Sequence, residues 1–546
     1  MSNNNQEPNV IILPEGYTRM IGRGAQGANI AAAKAVAETV RTTLGPKGMD
    51  KMLVDSTGDI VVTNDGVTIL ETLDIDNPVA KMIVEIAKTQ EEEVGDGTTT
   101  AVVLAGEFLK KSEELLDQNI HPTVIAKGYK MAGLKAQELL KKIEVKIDFE
   151  DKVNLRNVVM TAMTGKSSEA DKEKLADLIV KAVSSVSEMD GKKYSLDISD
   201  IKIEKRTGGS VSDSELIQGI VIDKERVHSD MPKKVNKANI LLFSGAMEVK
   251  ETERTTEIRI NTPDQLRAFM AEEESQLRDS VQKVVDSGAN VIFCQKGIDD
   301  IAQYLLAKKG IFAARRLKKS DMEKLAKATG GKVVSNLDDV QSTDLGYAGN
   351  VYEQKISGEE MIFVKDCKSP KAVTLLVRGG TEHIVDEIQR AVEDSIGDLK
   401  AVIEEGTIVY GAGAPEVSIS KGLSVYSNSL KGREQLAVKK YAEALEIIPK
   451  TLAENAGLDP IDVLTELKSH HDKGHDRFGI DVFSGKAIDM KELGVIEPSK
   501  VKRQALKSAT EVAVLILRID DVMAAKKLAG GPQMPQGMGG GMEGMY

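Results

Sequence analysis

The sequence feature that most constrains this chain is the hexapeptide Gly-Asp-Gly-Thr-Thr-Thr at residues 95–100. Apolar residues recur at helical spacing on both sides of it, so one helix is predicted to end there and another to begin. Glycines allow a backbone to approach a ligand closely, and a helix N-terminus offers unpaired N–H groups to an anion. Because Mg²⁺ takes only one or two carboxylates beside a phosphate, Asp96 between two glycines suggests a magnesium–phosphate site. Taken alone, however, the six residues fit a plain helix corner capped by Thr98 better.

The composition limits the class of protein. The chain has 546 residues, a length typical of about three to four domains. A net charge of -12 and an aromatic content of 3% without tryptophan argue against a nucleic-acid partner. No apolar run approaches the ~20 residues that span a bilayer, and the polar N-terminus shows no signal peptide, so we expect a cytoplasmic protein without a membrane partner. Cys294 and Cys367 lie far apart without a CxxC motif, which argues against a disulfide framework or a zinc site.

Several short motifs near the N-terminus are open to two interpretations. The GxGxxG match at residues 22–27 lacks an uninterrupted strand before it, so we predict a loop before a helix over 28–44 rather than a dinucleotide fingerprint. The run Leu-Gly-Pro-Lys-Gly-Met at 44–49 is either the end of that helix or a glycine-rich phosphate loop. The tripeptide Asn-Asp-Gly at 64–66 joins two apolar runs, which predicts a β-hairpin with Asp65 as a turn residue. No G-x-x-x-x-G-K-S/T sequence is present, which disfavours a Walker-type ATPase.

From about residue 216 the pattern changes to short apolar runs that alternate with helical stretches. The alternation is clearest over 291–334 and predicts an α/β layer structure. The polar segment before it contains one helix, capped by Thr262 and carrying an apolar stripe. The stripe from Leu277 onward is expected to pack inside its own domain. The earlier apolar residues are candidates for a partner or substrate surface: Ile258, Ile260, Leu266, Phe269 and Met270.

Three later features carry weaker signals. Asp394 lies roughly opposite the apolar stripe of a predicted helix and, taken alone, looks like an ordinary surface acid. Residues 469–476 hold three of the six histidines. A glycine-containing loop lacks the fixed spacing of a typical metal site, so we predict an exposed polar turn there. The segment 530–546 is rich in glycine and methionine and is predicted to be disordered.

Five ordered motifs together give a much more specific signal. They lie at residues 43–52, 63–69, 95–100, 390–394 and 494–498. With these motifs at these separations, the chain resembles the group II chaperonin family over nearly its whole length, that is, the archaeal thermosomes and their eukaryotic cytosolic relatives. The resemblance implies a multi-domain fold with three discontinuous parts: a mainly α-helical equatorial ATPase domain over 1–148 and 402–546, a small α/β intermediate hinge domain over 149–216 and 368–401, and an α/β apical substrate-binding domain over 217–367 with a helical lid protrusion around 245–285.

The resemblance also implies a function. Members of this family are ATP-dependent chaperones that enclose and fold unfolded proteins in a double-ring chamber, and ATP and Mg²⁺ are the cofactors expected here. The expected partners are unfolded or partly folded proteins and identical or paralogous subunits in two stacked rings of eight. A built-in lid would replace a separate co-chaperonin. A non-hydrolysing ring scaffold or holdase is the main alternative, and a small-molecule kinase is a third.

The motifs assign roles to individual residues by the same resemblance. Asp96 would bind Mg²⁺, Asp394 would activate the attacking water with Asp65 nearby, and Lys166 would sense the γ-phosphate. Ala412 departs from the family pattern, in which glycine is common at this position, so its backbone is left out of the predicted contacts. The remaining nucleotide-binding candidates are Leu44, Gly45, Pro46, Asn64, Gly97, Thr98, Thr99, Thr100, Gly411, Gly413 and Glu497.

Overall fold

The computed structural model describes residues 17–54, 58, 60–73, 75–166, 171–191, 193–249, 262–368 and 370–525. The predictions for Ile258, Ile260 and the tail 530–546 therefore lie outside the described residues. The first, mainly helical part contains β1 (Tyr17–Ile21), α1 (Gly22–Arg41), β2 (Lys51–Val54), β3 (Ile60–Thr63), α2 (Gly66–Thr72), α3 (Pro78–Val94), α4 (Thr98–Asp117), α5 (Pro122–Ile143) and β4 (Val145–Lys146).

Two predictions for this first part are wrong. The GxGxxG residues lie inside α1, which begins at Gly22 and ends at Arg41. The predicted hairpin does not form, because β3 pairs with β2 and the apolar run after Asp65 is the helix α2. The physical reason is that Asp65 is a helix N-cap: its Oδ2 accepts hydrogen bonds from the backbone N–H and the hydroxyl of Thr68 at 2.9 and 2.7 Å.

The middle of the chain forms α/β structure. It begins with α6 (Lys152–Met163), α7 (Lys172–Val186), β5 (Glu188–Asp190), β6 (Lys193–Ser195), β7 (Ile201–Thr207) and β8 (Glu215–Ile217). It continues with β9 (Gly219–Ile222), β10 (Lys234–Phe243), α8 (Pro263–Asp286), β11 (Val291–Cys294), α9 (Asp300–Lys308), β12 (Phe312–Ala314), α10 (Lys319–Thr329), β13 (Val333–Val334), β14 (Gly346–Ile356) and β15 (Glu359–Lys365). The sheet order is β12-β11-β10-β14-β15-β9, with β13 beside β10. The alternation predicted over 291–334 is confirmed.

The last third of the chain returns to both earlier regions. It contains β16 (Val373–Gly379), α11 (Glu382–Glu405), β17 (Thr407–Tyr410), α12 (Ala414–Ser429), α13 (Glu434–Leu445), α14 (Ile447–Asn455), α15 (Pro460–Asp472), β18 (Phe478–Asp481), β19 (Lys486–Asp489), α16 (Met490–Leu493), β20 (Ile496–Pro498), α17 (Ser499–Leu517) and β21 (Asp521–Ala525). β16 lies between β7 and β8, and β21 pairs with β1. The first and the last described strands therefore share one small sheet.

Buried apolar residues separate into cores that are discontinuous in sequence. The first core draws on residues 30–140 and 409–517. The second core draws chiefly on 155–201 and 373–403. Two further clusters pack on the large sheet, within 220–372 and 231–313. The predicted fold class, a mainly helical part combined with α/β layers, is confirmed.

The helix α8 begins as predicted. The Thr262 side chain accepts a hydrogen bond from the backbone N–H of Gln265 at 3.3 Å. Leu277 is buried in the cluster within 231–313, whereas Leu266 and Met270 are exposed. Cys294 and Cys367, expected to be free, are buried thiols without a disulfide. Within the described ranges, every helix is too short or too polar to cross a membrane.

Candidate active site

One cavity of about 460 Å³ collects residues from almost every motif identified in the sequence. The cavity lies where the loop between α3 and α4 meets five other parts of the chain. These are the turn after α1, the N-terminus of α2, the segment after α6, the middle of α11 and the loop before α12. The predicted catalytic, metal-binding and nucleotide-binding residues line it with one exception, Gly411. Those that line it are Leu44, Gly45, Pro46, Asn64, Asp65, Asp96, Gly97, Thr98, Thr99, Thr100, Lys166, Asp394, Gly413 and Glu497.

The loop between α3 and α4 has left-handed backbone at both of its glycines. Gly95 ends α3 with a φ of 81°, and Gly97 precedes α4 with a φ of 79°. The N-cap is therefore Gly97, and the prediction that Thr98 caps the helix is wrong because α4 begins at that residue. No side chain caps α4. Its first N–H groups and its positive dipole end are consequently available to an anion in the cavity.

Contacts with α17 fix this loop. Gln90 Nε2 donates to the carbonyl oxygens of Asp96 and Val501 at 2.9 and 3.2 Å. A Cβ atom on Gly97 would lie 2.6 Å from Val501 Cγ1, so the loop backbone packs directly on α17. These contacts hold the loop backbone on the side that faces α17, and Asp96 lines the cavity.

Asp65 uses its two carboxylate oxygens differently. Oδ2 caps α2, as described above. Oδ1 accepts a long hydrogen bond from Thr98 Oγ1 at 3.5 Å, across to the first residue of α4. The backbone N–H of Asp65 donates to Thr63 Oγ1 at 3.1 Å. The cap thus holds the carboxylate beside the N-terminus of α4.

Lys166 and Asp394 form an ion pair in the cavity wall, with side chains that are only 16% and 18% exposed. Burial raises the pKa of Asp394 to about 7; Lys166 opposes this rise, and the nearby Asp96 and Asp65 carboxylates add to it. Burial alone would lower the pKa of Lys166, but Asp394 and Asp96 reverse this and raise it. Lys166 therefore remains cationic, and Asp394 is a stronger base than an exposed aspartate.

Close backbone contacts hold the second core against the first around the cavity. Asn64 Nδ2 donates to the carbonyl oxygen of Gly165 at 3.0 Å. A Cβ atom on Gly165 would lie 2.8 Å from Pro46 Cα, and one on Gly95 would lie 3.0 Å from Gly397 Cα. The absence of side chains at these glycines is what permits the approach.

Lys502 and Glu497 form another part of the wall, and Glu416 pairs with Lys502 without lining the cavity. Lys502 Nζ lies 3.1 Å from Glu416 Oε1 and 2.8 Å from Glu497 Oε2. Burial raises the pKa of Glu497, although Lys502 opposes the shift. A Cβ atom on Gly411 would lie 2.4 Å from Glu497 Oε1. Gly411 is therefore packed behind Glu497 instead of lining the cavity.

Ala412, which departs from the family pattern, has the backbone that a glycine would adopt. Its φ is 56°, in the left-handed region, where a non-glycine residue is strained by about 1–2 kcal/mol. Its carbonyl oxygen accepts a hydrogen bond from the N–H of Ile480 at 3.0 Å, and it lines the cavity beside Gly413. Ala412 therefore adopts a left-handed backbone although it is not a glycine.

Sequence analysis missed five charged residues that line the cavity, namely Arg156, Lys172, Asp398, Asp481 and Lys502. Asp398 follows Asp394 by one helical turn, and this i,i+4 spacing of two acids was the available signal. Lys502 and the adjoining Glu416 carry no local pattern, because the ion pair joins two helices that are distant in sequence.

The donor groups at this cavity fit a hydrated magnesium ion. Among the described residues, no group of three or more His, Cys, Asp or Glu side chains is arranged to hold a metal. This arrangement suits Mg²⁺, which keeps most of its water and takes one or two carboxylates beside phosphate oxygens. Asp96 lines the cavity, and the buried Oδ1 of Asp398 has no hydrogen-bond partner in the described structure.

The prediction of an exposed turn over 469–476 is wrong for its first half, because α15 continues to Asp472 and His471 is fully buried. Its Nε2 lies 2.8 Å from the Phe478 carbonyl oxygen and its Nδ1 lies 3.0 Å from Ser418 Oγ. Burial lowers the pKa of His471. It is a hydrogen-bonded core histidine.

Comparison with known proteins covers almost the whole chain. The sequence model of the TCP-1/cpn60 chaperonin family matches residues 36–527. A thermosome subunit of Methanopyrus kandleri is 60% identical over 520 residues, 95% of each chain. The thermosome subunit beta of Methanothermobacter thermautotrophicus is 60% identical over 535 residues, 98% of each chain.

A solved structure, the open state monomer of a group II chaperonin from Methanococcoides burtonii, is 48% identical to this chain. The match covers 78% of this chain and 100% of that one, with a TM-score of 0.58. The resemblance found in the sequence motifs is confirmed by these matches, and the chain belongs to the TCP-1/cpn60 chaperonin family.

Proposed function

We propose that this chain is a subunit of an ATP-dependent group II chaperonin, which encloses unfolded proteins in a ring chamber and is driven by Mg²⁺-dependent ATP hydrolysis. The observation that carries the proposal is the convergence of Asp65, Asp96, Asp394 and Lys166 on the N-terminus of α4. The family match and the thermosome relatives support the chaperone function. The proposed site of action is the cytoplasm.

The phosphates of ATP bind at the start of α4 in this proposal. The uncapped N–H groups of its first turn and the hydroxyls of Thr98, Thr99 and Thr100 are the donors, and the dipole of the helix favours the negative charge. Mg²⁺, when bound, neutralises charge on the phosphates, and Asp96 is the residue that would hold it. Glu497 and Gly413 border the nucleoside.

Asp394 accepts the proton of the attacking water, and its raised pKa suits this role near neutral pH. Lys166 pairs with Asp394 in the structure. In the proposed cycle Lys166 turns to the γ-phosphate of bound ATP, which frees the Asp394 carboxylate. Asp65, fixed by its capping contacts, orients the water from the other side.

Hydrolysis depends on the approach of two domains. Asp65 and Asp96 belong to the part built on the first core, and Lys166 and Asp394 to the part built on the second. The two cores support the proposed division into an equatorial domain over 1–148 and 402–546 and a hinge domain over 149–216 and 368–401. Opening the hinge would separate the base from the phosphates, so conformation would gate the chemistry.

The proposed apical domain over 217–367 binds the unfolded protein and carries the lid. Leu266 and Met270 on the first turns of α8 are 47% and 59% exposed, and Phe269 is half-buried. Apolar side chains in this position suit contact with apolar segments of an unfolded chain or with a neighbouring lid. Two stacked rings of eight, identical or paralogous subunits and the absence of a separate co-chaperonin complete the proposal.

The substitution Asp394→Ala tests the catalytic assignment. ATP turnover by the assembled protein should fall by about 100-fold or more, the usual contribution of a general base. Binding of ATP, measured by isothermal titration in the presence of Mg²⁺, should persist. Asp386→Asn is the matched control, because Asp386 lies on the same helix but pairs with Lys205 outside the cavity.

Turnover of Asp394→Ala near the wild-type rate would refute the role of Asp394. Binding of unfolded protein by a wild-type ring that shows no turnover would favour the non-hydrolysing holdase. Turnover that required a small acceptor molecule would favour the kinase.

A further inference from the structure

Asp398 is a buried acid that the proposed chemistry leaves unexplained. It lies on α11, one turn after Asp394, and lines the cavity. Asp398 is buried, with only 3% of the residue exposed. An acid at such a depth normally has a hydrogen-bond donor or a cation beside it, because an unpaired buried charge is strongly unfavourable.

The position of Asp398 follows from the close contact between α11 and the α3–α4 loop. A Cβ atom on Gly397 would lie 3.0 Å from Gly95 Cα and 3.2 Å from the Val94 carbonyl oxygen. The turn of α11 that carries Asp398 is therefore pressed against the loop that carries Asp96. Both carboxylates line the same cavity, near the N-terminus of α4.

One oxygen of Asp398 is unpartnered. Oδ1 is buried and has no hydrogen-bond partner among the described residues. Leaving such an atom unpaired is unfavourable, so a native structure normally retains it only where a ligand, an ion or a water satisfies it. Lys166, a cation of the same cavity wall, is engaged by Asp394.

The charges around Asp398 point to a cation as that ligand. Asp96 and Asp394, which lies one helical turn earlier on α11, line the same cavity as Asp398. Asp398 therefore lies in a region of negative potential, which a bound dication would relieve. Mg²⁺ with a nucleotide takes one or two carboxylates, so a second carboxylate beside Asp96 completes its usual protein ligand set.

We propose that Asp398 is the second carboxylate of the divalent-cation site and, together with Asp96, holds the Mg²⁺ that accompanies the nucleotide. This inference rests on the proposed function, since it assumes a metal–nucleotide complex in the cavity. In this proposal α11 supplies two carboxylates with different roles. Asp394 acts as the base, and Asp398, one turn further on, positions the metal.

The test measures metal binding without turnover. Mn²⁺ is titrated into the assembled protein with saturating ADP and followed by electron paramagnetic resonance, for wild type and Asp398→Asn. Mn²⁺ affinity should fall about tenfold or more in the variant, because an amide oxygen carries no charge. ADP affinity in EDTA should stay within about twofold of wild type or improve, since a negative charge near the phosphates is lost. The control Asp386→Asn should change neither quantity.

The two affinities separate the possible outcomes. An equal loss of Mn²⁺ and ADP affinity would indicate a purely structural role and overturn the proposal. Wild-type Mn²⁺ affinity in Asp398→Asn would overturn it as well, and would assign Oδ1 to a water. If Asp398→Asn does not assemble, Asp398→Val carries the same titration, because it leaves no buried polar atom unpaired. Failure of wild-type protein to bind ADP at all would instead refute the proposed function.

Discussion

Asp65 shows how one carboxylate can serve structure and chemistry together. One oxygen caps α2 through Thr68, and the other reaches Thr98 at the start of α4. The Asn-Asp-Gly sequence around it predicts a hairpin turn, which does not form, so neither role followed from the sequence alone. The structure makes them separable, because capping needs only an acceptor oxygen, whereas water positioning or metal contact needs the charge.

The pair Asp65→Asn and Asp65→Ala tests this separation. Asparagine caps a helix as well as aspartate does, so Asp65→Asn should keep the unfolding midpoint in urea close to wild type while ATP turnover falls at least about tenfold. Asp65→Ala should lose turnover and, in addition, about 1 kcal/mol of stability with the cap. Normal turnover in Asp65→Asn would mean that Asp65 is only a cap.

Asp394 and Asp398 illustrate what helical periodicity cannot predict at single residues. The apolar stripe of the helix was correctly assigned, and the opposite face was taken as solvent-exposed. In the fold α11 is covered on that face too, because Gly397 meets the backbone of Gly95. Contacts between residues some 300 positions apart decided the burial of both acids, and only the family resemblance had selected Asp394.

At the scale of elements, local patterns predicted the mid-chain region well and the region 60–73 badly. The strands and helices over 291–334 were predicted because each has its own apolar pattern, and α8 was predicted because Thr262 is a strong cap. The run after Asp65 has only a few apolar residues, which suit a strand and a short helix equally. The capping contact of Asp65 with Thr68 decides in favour of the helix, and Asp-Gly as a hairpin signal was misleading.

The end of α15 leads to a prediction about pH. Burial lowers the folded-state pKa of His471, so the folded protein keeps this ring neutral while the unfolded chain binds a proton below a pH of about 6.5. The contribution of His471 to stability is thus present above that pH and is lost as the pH falls from there through the lowered folded-state pKa. The loss of stability between pH 7.5 and pH 5.5 should be smaller in His471→Gln than in wild type.

Urea unfolding at the two pH values measures this difference. His475→Gln is the control, because His475 is exposed and lies in the same segment. An identical pH dependence in wild type and His471→Gln would exclude His471 as a source of acid sensitivity.

For the whole molecule, the sequence could not reveal which distant segments share a core. Tyr441 stacks on Phe108 with ring centroids 4.1 Å apart, and its hydroxyl lies 2.7 Å from Thr510 Oγ1. No composition or periodicity links these three positions. Only the resemblance predicted the discontinuous domains, and the proposed division into an equatorial and a hinge domain rests on the two discontinuous cores.

Two small sheets suggest how subunits meet in the proposed ring. β1 pairs only with β21, and β2 only with β3, among the described strands. Both sheets expose apolar side chains, including Ile21 at 65%, Met52 at 69% and Val54 at 63%. An isolated two-stranded sheet is marginally stable, and unpaired edges with apolar side chains favour association with another chain. These two sheets are therefore the expected contacts between neighbouring subunits.

Met52→Glu should consequently prevent ring assembly without unfolding the subunit. A charge placed on an apolar contact surface must be desolvated when two subunits associate. The desolvation free energy therefore opposes assembly at every subunit boundary of the ring. Analytical ultracentrifugation should show monomers in place of rings, with an unchanged circular dichroism spectrum. The control is Val153→Glu, since Val153 is 70% exposed at the start of α6 and belongs to neither sheet. If Met52→Glu formed rings like those of Val153→Glu, the β2–β3 sheet would not lie at the subunit contact, and assembly would have to use another surface.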